Sequence, residues 1–148
     1  MNHRILTGFP LALAVAASAS ASSGARKGAS MLLPAADLKW NDVPGFPGVK
    51  MAVAEGDPAK GAHHAFIKLQ AGFEAPLHHH SADHFVTVVS GTLVLTVDGK
   101  ESRLPAGSFF LFKGMKPHLT KSGPEADCIL SIDARGKWDV VPEAGGTK

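Results

Sequence analysis

The sequence contains a single cysteine, which limits how the fold can be stabilised. A lone thiol cannot form a disulfide within the chain, so the fold must depend on its hydrophobic core or on a bound metal. Cys128 lies in the segment 128–132, where apolar residues alternate as they do in a strand. We predict that it is a buried strand residue and not a reactive thiol or a metal ligand.

Clustered charge is also scarce. The 15 basic and 13 acidic residues are scattered along the 148-residue chain and leave a formal net charge of +2. No run of like charge stands out, and no basic patch is interleaved with aromatic residues. Nothing in the sequence therefore indicates a nucleic-acid partner.

Only one hydrophobic run is long, and it lies near the amino terminus. His3 and Arg4 precede a mostly apolar stretch at residues 5–17, and small residues follow in the spacing of a signal-peptide cleavage site. The run is too short to span a bilayer and is interrupted by Pro10. We predict that residues 1–21 are a cleaved signal peptide and that the protein is exported, either periplasmic or secreted. The alternative is an uncleaved, disordered amino terminus.

The sequence after this segment predicts one folded domain. No cysteine lies near the cleavage site, so no stable membrane anchor is expected after cleavage. Residues 22–36 are small, polar and basic, and are predicted to be a flexible lead-in. The domain is predicted to cover residues 37–142, followed by a C-terminal tail at residues 143–148.

Helical patterns are missing from the rest of the chain, and short strands replace them. The 16 glycines and 10 prolines suit tight turns, and Asp98-Gly99 is a strong hairpin signal because both residues tolerate positive φ. This pattern indicates an all-β antiparallel sandwich or barrel, although periodicity does not separate a jelly roll from an immunoglobulin-like sandwich. Strands are predicted at residues 49–54, 64–69, 85–89, 92–97, 108–112 and 129–132, with others beginning near Lys100 and Leu119.

Histidine is abundant, and four of the eight histidines fall within residues 78–84. Side chains alternate along a strand, so His78 and His80 are expected to share a face that His79 does not. A turn would bring His84 beside them on the next strand, and His118 would arrive from a more distant strand. Convergent imidazoles on a rigid sheet form a transition-metal site. Other histidines, namely His63, His64 and His79, are interpreted as surface residues or satisfied core residues.

The spacing of these histidines against the glycines resembles the two motifs of the cupin superfamily. In the first motif, a glycine is followed after five residues by His-x-His, after three or four more by a glutamate, and after six more by a second glycine. The corresponding positions here are Gly72, His78, His80, His84 and Gly91. The second has five residues between its glycine and the Pro-x-Gly turn, and then a histidine: Gly99, Pro105, Gly107, His118. The resemblance covers residues 49–133. It implies a single-domain cupin, a jelly-roll barrel that holds one divalent metal ion through His78, His80, His84 and His118.

The chain departs from the usual cupin pattern in two places. His84 stands where a glutamate is usual, and the asparagine that often follows the last histidine is absent, with Lys121-Ser122 in its neighbourhood. Four neutral imidazoles leave the full +2 charge on the ion and favour anionic co-ligands. The donor set leaves the metal open among Zn, Cu, Fe, Ni and Mn.

Two functions of different classes agree with this site. The first is a metal-dependent enzyme of the dioxygenase type that acts on a small chelating substrate such as a diketone, enol or thiol. The second is a non-catalytic cupin that binds metal or a small ligand, since only Glu74 and Asp83 lie near the ligands in sequence as candidate acids or bases. A homodimer is possible, with residues 40–48 adding an edge strand. An apolar pocket wall is expected from some of Phe66, Phe85, Phe109, Phe110 and Phe112.

Overall fold

The computed structural model describes residues 30–144. The predicted signal peptide and most of the predicted lead-in lie outside the described residues, as do residues 145–148. The described part of the chain forms one turn of 3-10 helix and eleven strands. These are the 3-10 turn Ala35–Asp37 and the strands β1 Asn41–Asp42, β2 Val49–Gly56, β3 His63–Leu69, β4 Glu74–His79, β5 His84–Ser90, β6 Thr92–Val97, β7 Lys100–Pro105, β8 Phe109–Phe112, β9 His118–Ser122, β10 Cys128–Ala134 and β11 Val141–Pro142.

The strands form two antiparallel sheets. One sheet has six strands in the order β1-β2-β3-β10-β5-β8, and the other has five in the order β11-β4-β9-β6-β7. Strands that are distant in sequence are neighbours in both sheets, so the connections cross between the sheets as in a jelly roll. The predicted all-β jelly-roll class is confirmed.

Alternation of apolar side chains explains which face of each strand is buried. In β3 and β10 the buried and partly buried residues alternate without interruption, so one face of each strand turns into the barrel. Cys128 is fully buried in β10, which confirms its prediction as a core residue. The buried core cluster also contains Val49, Ile67, Leu69, Val86, Val88, Leu93, Leu95, Phe112, Leu130, Ile132 and Ala134.

Two turns show why the sequence places glycine where it does. Asp98 and Gly99 have φ values of 51° and 74° and close the predicted hairpin between β6 and β7. Gly91 joins β5 to β6 with a φ of 73°, and a Cβ there would lie 2.5 Å from the Asp127 carbonyl oxygen. Only glycine fits at position 91 without moving that backbone.

The structure differs from the strand predictions at an edge and near the end of the described chain. The apolar strand β8 begins at Phe109, and Phe109 and Leu111 are exposed because alternation turns them to the outer face while Phe110 and Phe112 face inward. Strand β11 has only two residues and carries no periodic signal, so the sequence did not predict it. No helix among residues 30–144 is long and apolar enough to cross a membrane.

Candidate functional site

Three of the four predicted ligands come together inside the barrel. His78 ends the inward face of β4, His80 follows two residues later, and His118 begins β9 directly opposite His78. One ring nitrogen from each histidine lies within 4.8 Å of those of the other two, and all three side chains are buried. Strand alternation places His78 and His80 on one face, and the β4–β9 pairing supplies the third imidazole.

His84 lies next to this group but in the other sheet. It begins β5 in the six-stranded sheet, and its ring centroid is 4.7 Å from that of His80, with the two planes nearly perpendicular. His84 is buried and lines the same cavity as the other three histidines. It does not belong to the group whose donor nitrogens all lie within 4.8 Å of one another. All four histidines therefore line one cavity. His78, His80 and His118 form a close group of donors, and His84 lies beside that group.

The backbone orients all four imidazoles in the same way. Because a carbonyl oxygen can only accept a hydrogen bond, each Nδ1 that contacts one must donate its proton, and the Nε2 lone pair is left free. This is the arrangement that metal-binding histidines usually have. The Nδ1 atoms of His78, His80, His84 and His118 lie 2.7, 2.5, 3.1 and 3.0 Å from the carbonyl oxygens of Pro76, Asp139, Ala82 and Lys116.

Burial keeps these imidazoles neutral. Removal from water penalises the protonated ring and lowers the pKa of His80 to about 3 and that of His118 to about 4. The pKa values of His78 and His84 are lowered for the same reason. Neutral imidazole is the form that binds metal ions, so the donor set fits the divalent transition metal that the sequence resemblance implies.

The segment 138–143 supports His80 and was not predicted from the sequence. The Asp139 carbonyl accepts the His80 Nδ1–H bond, and the Asp139 carboxylate accepts bonds from the backbone N–H and hydroxyl of Ser81 at 2.8 and 2.5 Å. The Trp138 ring packs on the His80 ring with centroids 4.4 Å apart. The segment follows the last predicted strand and has no pattern of its own, so only the folded structure reveals its role.

The two candidate acids or bases named from the sequence lie away from the cavity. Glu74 forms a surface ion pair with Lys121 at 3.0 Å, and Asp83 forms one with Lys113 at 2.7 Å. The Asp83 carboxylate also accepts the Gly114 backbone N–H. The contact with Lys113 has the largest effect and that with Gly114 the next, and both lower the pKa of Asp83. The side chain is thus held as a carboxylate that stabilises a turn. Neither residue lines the cavity.

The remaining predicted non-ligand histidines have their own partners. His79 points away from His78 and His80, and its Nδ1 lies 2.6 Å from the Glu143 carboxylate. The His64 Nε2 bonds the Ser131 hydroxyl at 3.1 Å. The His63 Nδ1 donates to the Gly61 carbonyl, while its buried Nε2 has no hydrogen-bond partner among the described residues.

The cavity beside the histidines is walled by apolar side chains. Only Phe110 and Phe112 of the five phenylalanines considered from the sequence line it, and Phe46 and Phe73 line it from loops. The Phe112 ring stacks on His118 with centroids 4.1 Å apart. Apart from the four histidines and Thr120, every residue that lines the cavity is apolar or is Trp138.

These features define the class of protein. Two antiparallel sheets in jelly-roll order enclose a cavity that carries inward-facing histidines from neighbouring strands, and the family model described as a cupin domain matches residues 65–132. The chain belongs to the cupin superfamily. The resemblance drawn from the two sequence motifs is confirmed.

Solved structures agree with this assignment. The polyketide cyclase RemF from Streptomyces resistomycificus has a TM-score of 0.65 at 18% identity, with 80% of this chain and 89% of that chain covered. An RmlC-like cupin from Ralstonia eutropha JMP134 has a TM-score of 0.60 at 25% identity, with 73% and 69% covered. The DMSP lyase DddQ from Ruegeria pomeroyi DSS-3 has a TM-score of 0.62 at 16% identity, with 76% and 64% covered. No curated protein sequence matches this chain. These similarities establish the fold and assign no activity to the chain.

Proposed function

We propose that this protein is an exported cupin that binds one divalent transition-metal ion through His78, His80 and His118, with His84 as a fourth ligand, and that it is a metal-dependent enzyme. The observation that carries the proposal is the group of three buried ring nitrogens within 4.8 Å of one another. Each of these rings donates its Nδ1 proton to the backbone, so the ligand atoms are oriented before any ion arrives.

The reaction class we propose is of the dioxygenase type, on a small chelating substrate such as a diketone, enol or thiol. No carboxylate, lysine or tyrosine lines the cavity, so the lining supplies no acid or base other than its histidines. A bound ion would supply Lewis acidity toward a chelating oxygen and, if redox-active, electron exchange with dioxygen. The histidines hold this centre, while Phe112 and Trp138 pack against them and exclude water.

The same lining supports a second candidate, a non-catalytic cupin that binds metal or a small ligand. Without a placed acid or base, a substrate that needs proton transfer has only the histidines to serve it. Metal analysis of protein purified from its native compartment, followed by oxygen-uptake assays with chelating substrates, separates the two candidates. We expect about one ion per chain and substrate-dependent oxygen uptake. Stoichiometric zinc without turnover would favour binding. Protein isolated from that compartment without metal would contradict the metal-dependent enzyme and leave only the binding of a small ligand.

Export of the protein can be tested separately from metal binding. The proposal rests on the basic start, the apolar run and the small residues of the predicted signal peptide, residues 1–21. We expect the mature protein to begin close to residue 22 and to be recovered from the periplasm or the medium. Intact-mass measurement of the protein from fractionated cells checks both. A chain that keeps its first residues and stays in the cytoplasm would contradict export.

A further inference from the structure

The metal-facing cavity contains no residue that could neutralise a charged ligand. No Asp, Glu, Lys or Arg lines it. The space between the lining residues is about 650 Å³, a volume that includes the open solvent at its mouth. Its polar side-chain groups are those of the four histidines, the hydroxyl of Thr120 on β9 and the indole N–H of Trp138.

The lysines close in sequence to the lining residues Phe112 and His118 are already paired with carboxylates. The Lys113 ammonium lies 2.7 Å from the Asp83 carboxylate, and the Lys116 ammonium lies 2.7 Å from that of Asp98. On the outer face, Lys121 pairs with Glu74. A second charged group on a bound ligand would therefore find no charged partner among the lining residues, and pairing with one of these lysines would break a surface ion pair.

We infer that the natural ligand of this cavity is a small molecule with an uncharged, hydrophobic body and a single polar, metal-chelating group. The inference rests on the proposed function, because the metal site is where the chelating group binds. Buried apolar area stabilises the body of such a ligand at roughly 25 cal/mol per Å². A buried charge without a partner is strongly unfavourable, which argues against dicarboxylates and phosphorylated compounds. Sugars are disfavoured as well, because one hydroxyl and one indole N–H beside the histidines cannot satisfy several buried ligand hydroxyls.

Three hydroxamates that share one metal-binding group test the inference on the metal-loaded full chain. Acetohydroxamate lacks a hydrophobic body, benzohydroxamate has one, and 4-carboxybenzohydroxamate adds a charge to it. Trp138 lines the cavity and Trp40 does not, so quenching of tryptophan fluorescence reports binding, and calorimetry gives the affinity. We expect benzohydroxamate to bind at least tenfold more tightly than either of the other two probes. Equal affinity for benzohydroxamate and its carboxylated form would overturn the inference.

A charge placed in the cavity should reverse this selectivity. Thr120→Lys adds an ammonium to the lining, whereas Thr87→Lys adds the same charge on the exposed face of β5. We expect Thr120→Lys to prefer the carboxylated probe and Thr87→Lys to behave as the parent does. Metal content of each protein is measured first, because a parent chain that binds no metal overturns the proposed function together with the inference. A metal-loaded parent that does not discriminate among the probes overturns only the inference.

Discussion

At the residue scale, the site depends on which nitrogen of each imidazole is committed to the backbone. The Nδ1 atoms of His78, His80, His84 and His118 all donate to carbonyl oxygens close by or on the C-terminal segment. The Nε2 atoms are therefore the ring nitrogens left free to bind an ion. Because the rings are already fixed by the backbone, binding costs little side-chain entropy. His79 lies within the same triplet but uses its Nδ1 to contact Glu143 outside the cavity.

Adjacent histidines should thus differ sharply in their effect on metal binding. We expect His80→Ala to weaken metal affinity tenfold or more, because it removes one of the three close donors. His79→Ala is the matched control and should leave the affinity unchanged, since His79 faces the other way. Competition titration against a chromogenic chelator measures both. Equal losses would mean that His79 shares the site, against the strand register seen in β4.

His84 allows a test of whether the fourth histidine binds the ion. If it does, His84→Glu should retain metal and shift the preference from copper toward manganese or iron, because carboxylate is the harder ligand. The added negative charge should also raise the pKa of metal-bound water. Metal competition titrations on the parent and the variant check the preference order. An unchanged order with unchanged affinity would leave His84 as a neighbour of a three-histidine site.

At the element scale, the segment 138–143 packs against the end of β4. No strand was predicted from the sequence in this segment. Val141 and Pro142 pair with His79 and His78, and the Glu143 N–H donates to the Leu77 carbonyl. The segment therefore contacts the histidine triplet from both faces of its strand. Such supporting contacts set the orientation of ligands and often influence metal affinity as much as a weak ligand does.

Loss of the Asp139 carboxylate should loosen this segment. We expect Asp139→Ala to reduce metal affinity about tenfold while all four histidines remain, because two hydrogen bonds to Ser81 are lost beside His80. Asp133→Ala removes a half-buried carboxylate of β10 that pairs with Arg135 and should have no such effect. Metal titration and the absorption spectrum of the cobalt-loaded proteins measure the change. A spectrum and an affinity identical to those of the parent would show that the segment does not position His80.

At the scale of the whole molecule, stability depends on one core that both sheets share. Cys128 is a fully buried member of this core, and burial raises the pKa of its thiol to about 11 from an ordinary value of 9.0. The native state therefore retains a proton that the unfolded chain loses between these two values. This contribution to stability is fully present below about pH 9 and is lost as the pH rises toward 11.

Comparison with Cys128→Ala isolates this effect. We expect the difference in unfolding free energy between the parent and the variant to be constant at neutral pH. Above about pH 9 the parent should lose stability relative to the variant. Because the chain has no tyrosine, and the lysines titrate in both proteins, the comparison cancels other alkaline titrations. Denaturant unfolding at several pH values provides the free energies. A difference that does not vary with pH would mean that the thiol ionises as readily in the native state as in the unfolded one.

Much of the architecture could be predicted from the sequence because it is locally encoded. Alternation and the turns at Gly91 and Asp98-Gly99 depend on side-chain and backbone preferences that act over a few residues. The spacing of His78 and His80 likewise follows from the two-residue period of a strand. These local signals, with the motif spacing, were sufficient to predict an all-β cupin and the four histidines that line its cavity.

The rest was decided by contacts between residues far apart in the chain. Trp138 and Asp139 support His80 across 58 and 59 positions, and no local preference encodes such a contact. The distinction between three close donors and His84 depends on how the two sheets face each other, which the strand pattern leaves undetermined. The sequence alone thus determined which residue types and spacings form the site, while tertiary packing determined their distances, partners and solvent exclusion, because those quantities arise only when the sheets close over one core.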